Sequence, residues 1–156
     1  MKSTPAAALA CAAVLCFTAG LAPAQASLGQ RAASVNADLM RIKGQIRLSS
    51  GAGYRVDEIT TPQGTVVKEF ISPADVVFAV SWRGPVMPNL AQTLGSSYFG
   101  MLTGAEQQQR ALLGRNHVQL RTPQLVVHAG GHMRLFFGVA YVPSLLPPNV
   151  TIADLH

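Results

Sequence analysis

From residue 76 to residue 83, Val76, Phe78, Val80 and Trp82 alternate with Val77, Ala79, Ser81 and Arg83, and nearly every position is apolar. Near-continuous apolarity over a strand's length predicts a central strand covered on both faces or nearly so. Gly84-Pro85 ends it, because proline cannot donate to a sheet ladder. The second apolar concentration, residues 124–142 (QLVVHAGGHMRLFFGVAYV), joins a Val-rich run to a Phe-rich run at Gly130-Gly131. Glycine enters φ > 0 without steric cost, so the pair predicts a tight hairpin turn at the centre of the core. Alternation along these two segments gives Phe78, Val80, Leu135, Phe137 and Val139 as the expected buried set.

Elsewhere the pattern changes period. Val35, Leu39, Ile42 and Ile46 fall at i, i+4, i+7 and i+11 behind Ser34, a good N-cap, which predicts an N-terminal helix. Arg41, Lys43 and Arg47 lie off that stripe, where positive charge suits a helix C-terminus, and residues 49–53 form a flexible break. Residues 54–60 and 65–72 flank Pro62-Gln63-Gly64, a second hairpin signal. Pro88 opens a second helix with Leu90, Leu94, Met101 and Leu102 on its buried face, Gly95 inside it and Gly104 at its end. Residues 106–113 are a further helical turn or a surface loop, and residues 117–121 are ambiguous as a strand. Pro143, Pro147 and Pro148 make the tail extended. The fold class expected is α+β: an antiparallel sheet of four to six strands, an N-terminal helix, and a second helix inserted between strands 3 and 4.

The first residues change the picture of compartment. Lys2 precedes an apolar run over residues 6–21, followed by Pro23 and the small-residue site Ala24-Gln25-Ala26, the pattern of a secretory signal peptide cleaved before Ser27. The run is Ala-rich and shorter than the ~20 residues a bilayer span needs. Cys11 and Cys16 sit too early to be lipidated at the cleavage point. The expected domains are therefore a signal peptide over residues 1–26 and a single domain over 27–156, periplasmic or extracellular, with no membrane span after cleavage. Both cysteines leave with the signal peptide, so disulfides and thiol chemistry are excluded from the mature chain. With Lys2 gone, 11 Lys and Arg stand against 7 Asp and Glu, a net charge of +4. Export and the lack of a basic run with interleaved aromatics argue against nucleic acid. An envelope protein or an anionic envelope component is the expected partner.

Candidate chemistry centres on His128 and His132. A two-residue turn at Gly130-Gly131 pairs Ala129 with His132 and sends the two imidazoles to opposite faces; a three-residue loop would put them on one face. Even then a third ligand is missing, with His117 and Asp57 merely available, so no metal site and no cofactor is expected. A Ser-His-acid triad would have to assemble in space, since no G-x-S-x-G elbow is present and Gly95-Ser96-Ser97 lies within a helix. Gly51-Ala52-Gly53 lacks the rest of a phosphate loop. The best binding candidates are Trp82 and Arg83 at a strand end with His132 and Arg134 at a turn, because Trp and Arg are favoured anchors. The alternative for them is structural: Trp82 in the core, and Arg83 or Arg134 paired with Glu58 or Glu69.

The phrases GTVVKEF (residues 64–70), VFAVSWRGP (77–85) and GGHMR (130–134), with Tyr141-Val142-Pro143 and Leu146-Pro147, resemble a family of small exported proteobacterial proteins catalogued as a domain of unknown function, of the DUF2844 type. The likeness runs from about residue 27 to 148 and fades between 104 and 115. It implies export and a single domain, and carries no activity or catalytic residue. The function expected is a non-enzymatic binding module of the periplasm or cell exterior; a small hydrolase-like enzyme and a purely structural envelope protein are the alternatives. The exported form is expected to begin at Ser27 and contain no cysteine. Its intact mass checks this, and retention of residues 1–26 or a diacylglycerol adduct would contradict it.

Overall fold

In the computed structural model the described residues are 28–32, 45–51, 53–113 and 117–155, with 111–113 described for backbone only. They form β1 (Gln45–Gly51), β2 (Tyr54–Thr60), β3 (Val66–Ile71), β4 (Val77–Gly84), helices α1 (Leu90–Leu94) and α2 (Ser96–Leu113), then β5 (His117–Arg121), β6 (Val126–His132) and β7 (Leu135–Tyr141). All strands join one antiparallel sheet in the order β1-β2-β3-β4-β7-β6-β5. Two meanders, β1 to β4 and β5 to β7, therefore meet at β4 and β7, and the helical segment carries the chain to the far edge. The class is α+β as expected, but the sheet has seven strands, and the helical insertion falls between the fourth and fifth.

The added strand is β1. Most of the expected N-terminal helix lies outside the described residues, but its last positions, Ile46 and Arg47, are extended and pair with Ile59 and Glu58 of β2. Residues 49–51, expected as a flexible break, complete that strand. Two further expectations are corrected at glycines. Gly95 takes φ +89, a left-handed value, and breaks the segment into α1 and α2 rather than lying within one helix. Gly104 does not end α2, which continues to Leu113. Residues 117–121 are a strand, and its outer edge is occupied by a helix side chain: Gln109 Oε1 accepts from the Gln119 backbone N–H at 3.0 Å while Gln109 Nε2 donates to the Gln119 carbonyl. That amide stands where another strand would pair, which blocks edge-to-edge association.

One sheet face packs on the helices. Ile59, Val67, Trp82, Gly138, Ala129 and Val118 stand abreast across β2, β3, β4, β7, β6 and β5, and Leu90, Leu94, Leu102 and Ala105 cover them. The indole of Trp82 lies over Gly138, where a Cβ would come within 2.2 Å of the ring. Residues 28–32 join this layer through buried Leu28 and Ala32, tied to β4 by backbone bonds from Gly29 to Val77 (2.8 Å) and from Val77 to Gln30 (2.9 Å).

The opposite face is covered over half its length. A register shift at Phe70 and Ile71 makes Phe70 face Ala79 and Ile71 face Val77, which places Phe78 on this second face and leaves Val80 and Trp82 on the first. Phe70, Phe78 and Tyr54 make a ring cluster with centroids about 6 Å apart. The tail, expected to be extended, turns twice as a 3-10 helix, at Pro143–Leu145 and Ile152–Leu155, and lays Val150 and Leu155 on the cluster. Thr151 fastens the second turn by donating to Asp154 from both its hydroxyl (2.7 Å) and its N–H (2.8 Å). Those two bonds hold the Asp154 carboxyl below its usual value.

The β6–β7 hairpin exists, but its turn is not at the glycines. Gly130 and Gly131 are inside β6, His132 pairs with Leu135, and Met133-Arg134 is the two-residue turn, with Arg134 at φ +65. The slip undoes two expectations. His128 and His132 share one face, four residues and thus roughly 14 Å apart along the strand, so neither proposed turn geometry holds, although the pair still cannot reach one metal. Phe137 is 40% exposed, and Leu135 only partly buried, whereas Phe78, Val80 and Val139 are in the core.

Phe78→Ala is accordingly expected to cost ~3–5 kcal/mol in denaturant melts, against about 1 kcal/mol or less for Phe137→Ala at a half-open surface site; equal losses would contradict the facing of β7. In calorimetric titration with Zn²⁺, the mature chain and a His128→Ala, His132→Ala double variant are expected to behave alike. Tight stoichiometric binding lost in the variant would require the two imidazoles to meet.

Candidate functional site

The tail leaves the other half of its sheet face open, and register fixes what stands there. One row across β2, β3, β4, β7, β6 and β5 is Glu58, Lys68, Ser81, Val139, His128 and Gln119; the next is Thr60, Val66, Arg83, Phe137, Gly130 and His117. The sheet cups beneath them into a groove of about 550 Å³, within the ~300–1,000 Å³ of small-ligand sites. Val66, Val139 and the exposed Phe137 ring supply an apolar floor. Polar groups stand at both ends.

At the β2–β4 end, Lys68 Nζ and Glu58 Oε2 are 4.0 Å apart. Arg83 is exposed and makes no ion pair among the described residues. Its expected pairing with Glu58 or Glu69 is not formed: Glu58 faces Lys68, and Glu69 is on the helix face beside Asp57. Arg134 likewise has no carboxylate partner among the described residues. At the β5–β6 end, His117 and Phe137 flank Gly130, where a Cβ would lie 2.9 Å from Phe137 Cζ and 3.0 Å from His117 Cδ2. This glycine is therefore required by rings crossing above it, not by a turn. His128 stands diagonally from His117 on the neighbouring strand.

The groove contains a serine, a histidine and an acid, but not a triad. Val139 of β7 separates Ser81 from His128, and Lys68 of β3 separates Ser81 from Glu58. Each separation is two strand spacings, roughly 10 Å between backbones, and among the described residues no hydrogen bond links Ser81 to His128 or to Glu58, as a nucleophile, its base and its orienting acid require. Among the described residues no three His, Cys, Asp or Glu side chains cluster as metal ligands. The arrangement can do what an apolar floor with charged and hydrogen-bonding ends does: hold a small molecule in one orientation.

Of the four residues singled out from the sequence, Arg83 lines the groove and Trp82 borders it, with the Trp82 ring turned to the helix face and buried. His132 and Arg134 are exposed at the β6–β7 tip beside Met133, which is 91% exposed, and do not line the groove. Lys68 and Gln119 carry no sequence signal as site residues, while His117 stands out only as an available metal ligand and Phe137 only as an expected core residue. The available signal was parity: in β4, Ser81 and Arg83 put polar groups on one side of an otherwise apolar strand, and in β3 Lys68 shares that side while Glu69 takes the other. Only the pairing register shows that these sides coincide.

No helix among the described residues is long and apolar enough to cross a membrane. No match is found among curated proteins or solved structures. A family model described as a protein of unknown function, DUF2844, matches residues 24–155. That span takes in the seven strands, the two helices and the tail among the described residues, and the chain belongs to the DUF2844 family.

Proposed function

We propose that this protein is an exported binding module of the periplasm or cell exterior, and that its ligand occupies the open groove of the sheet. The observation that carries this is the pairing of an apolar floor with an exposed cation: Phe137 and Val139 beside Arg83 in a cavity of about 550 Å³. A face that served only packing would bury its aromatic ring, as the Phe70–Phe78 half of the same face does. The secretory leader read at residues 1–26 places the site where envelope components are the available ligands. The groove's cationic end favours an anionic envelope component over a purely structural role. The two-strand gaps among Ser81, His128 and Glu58 favour binding over hydrolysis.

The dye 1-anilinonaphthalene-8-sulfonate, an anionic aromatic probe, is expected to bind the folded mature chain with a single stoichiometric site. Ser81 is in the middle of the groove, so Ser81→Trp fills it and is expected to weaken dye binding at least tenfold. Phe137→Ser, which removes the floor without adding bulk, is expected to weaken it as well. Urea melts show that each variant is folded. Unchanged dye affinity in both folded variants would sink the groove as the site.

A further inference from the structure

The geometry points to a specific ligand class for the groove: an organic monoanion, with a carboxylate at Arg83, a flat apolar body over Phe137 and Val139, and a hydrogen-bonding group at the far end facing His117 and His128. This rests on the groove being the binding site and goes further by fixing charge, length and polarity. The charge follows from the balance at the β2–β4 end. Lys68 and Glu58 are mutually offset at 4.0 Å, and Arg83 has no carboxylate neighbour among the described residues, so one positive charge is left to be met from outside. A guanidinium presents a planar fork of donors that matches a carboxylate in two parallel bonds.

The length follows from the strand order. From Arg83 on β4 the groove crosses β7 to His128 on β6 and to His117 on β5, two and three strand spacings, or roughly 10 and 14 Å. The surface between is the Phe137 ring, Val139 and the backbone of Gly138. The half-open ring of Phe137 gives a flat apolar body a face to stack on across β7. At the far end each imidazole offers a nitrogen that donates or accepts a hydrogen bond. A long flexible chain would leave the histidines desolvated and unmatched, whereas a rigid body with a hydroxyl or carbonyl opposite its acid group satisfies both ends.

The test uses the intact mature chain with 6-hydroxy-2-naphthoate, whose carboxylate and hydroxyl sit at opposite ends of a two-ring body, and its neutral counterpart 6-hydroxy-2-naphthamide. Titration calorimetry on the native chain is expected to show the acid bound at least tenfold more tightly than the amide. In Arg83→Gln that preference disappears; Arg83 is exposed, and a urea melt verifies that the variant is folded. Equal binding of acid and amide to the native chain overturns the anion assignment and leaves the groove standing. An acid preference that persists in Arg83→Gln overturns Arg83 as its source. Failure of both compounds to bind, together with loss of the dye site, overturns the groove and the ligand class at once.

Discussion

Everything in this sheet depends on β4 pairing with β7, since that ladder alone joins the two meanders, and at its centre the Trp82 indole lies flat over Gly138. Because strand side chains alternate, a slip of one residue there would send every β5–β7 side chain to the opposite face. The glycine opposes such a slip. Shifting the register by one would bring Phe137 or Val139 opposite Trp82, where the ring now occupies the space a Cβ would need. A single close contact on the helix face thereby sets which residues line the other face: with Trp82 opposite Gly138, Arg83 must stand beside Phe137 and Ser81 beside Val139.

The second constraint is how far the tail reaches. Val150 and Leu155 cover Phe70, Phe78 and Tyr141, and both belong to the same buried cluster as those rings. No further element among the described residues lies over the rows at Ser81 and Arg83, and those rows carry polar groups. Covering them with apolar side chains would strand a guanidinium and two imidazoles without water, at a cost of several kcal/mol for the charge alone. The division of the face into a packed half and a wet half is thus written into the residues of each row.

What was legible in the sequence was local. The Pro62-Gln63-Gly64 turn, the breadth of β4 and the buried helical face of Leu90 and Leu94 all follow from residues within a few positions of one another, and each is present, although the helix is capped by Asn89 and Pro88 lies before it. What was not legible depended on partners far along the chain. Gly130 and Gly131 have the composition of a turn, yet their lack of side chains makes room for His117, Phe137 and Phe136, while the turn itself uses Met133 and Arg134, the latter in a backbone region that non-glycine residues seldom adopt. Phe78 and Val80 share a parity in the sequence but part company at a register shift that only the β3–β4 ladder shows. Ile46 ends a helical stripe and Arg47 flanks it, and both nevertheless form a strand, because β2 offers an edge and tertiary pairing outweighs propensity. The groove was invisible for the same reason: its six strands contribute one to three residues each.

The polarity of the two faces carries the last step. The helix face buries Asp57 and Glu69, 4% and 2% exposed and directly opposite each other on β2 and β3, while the open face exposes Phe137. Ordinary partitioning would reverse this, with acids in water and the aromatic ring inside. Acids placed opposite each other on neighbouring strands are unfavourable, and Arg55, 3.1 Å from Asp57, offsets one of them. Of the three strand carboxylates among the described residues, Asp57 and Glu69 thus stand on the side where the helices pack, and Glu58 alone on the side where Arg83 stands. Had Asp57 and Glu69 occupied the open face, they would have neutralised the cationic end of the groove. Their placement keeps a positive charge beside an uncovered aromatic ring, which is the arrangement a bound anion with an apolar body requires.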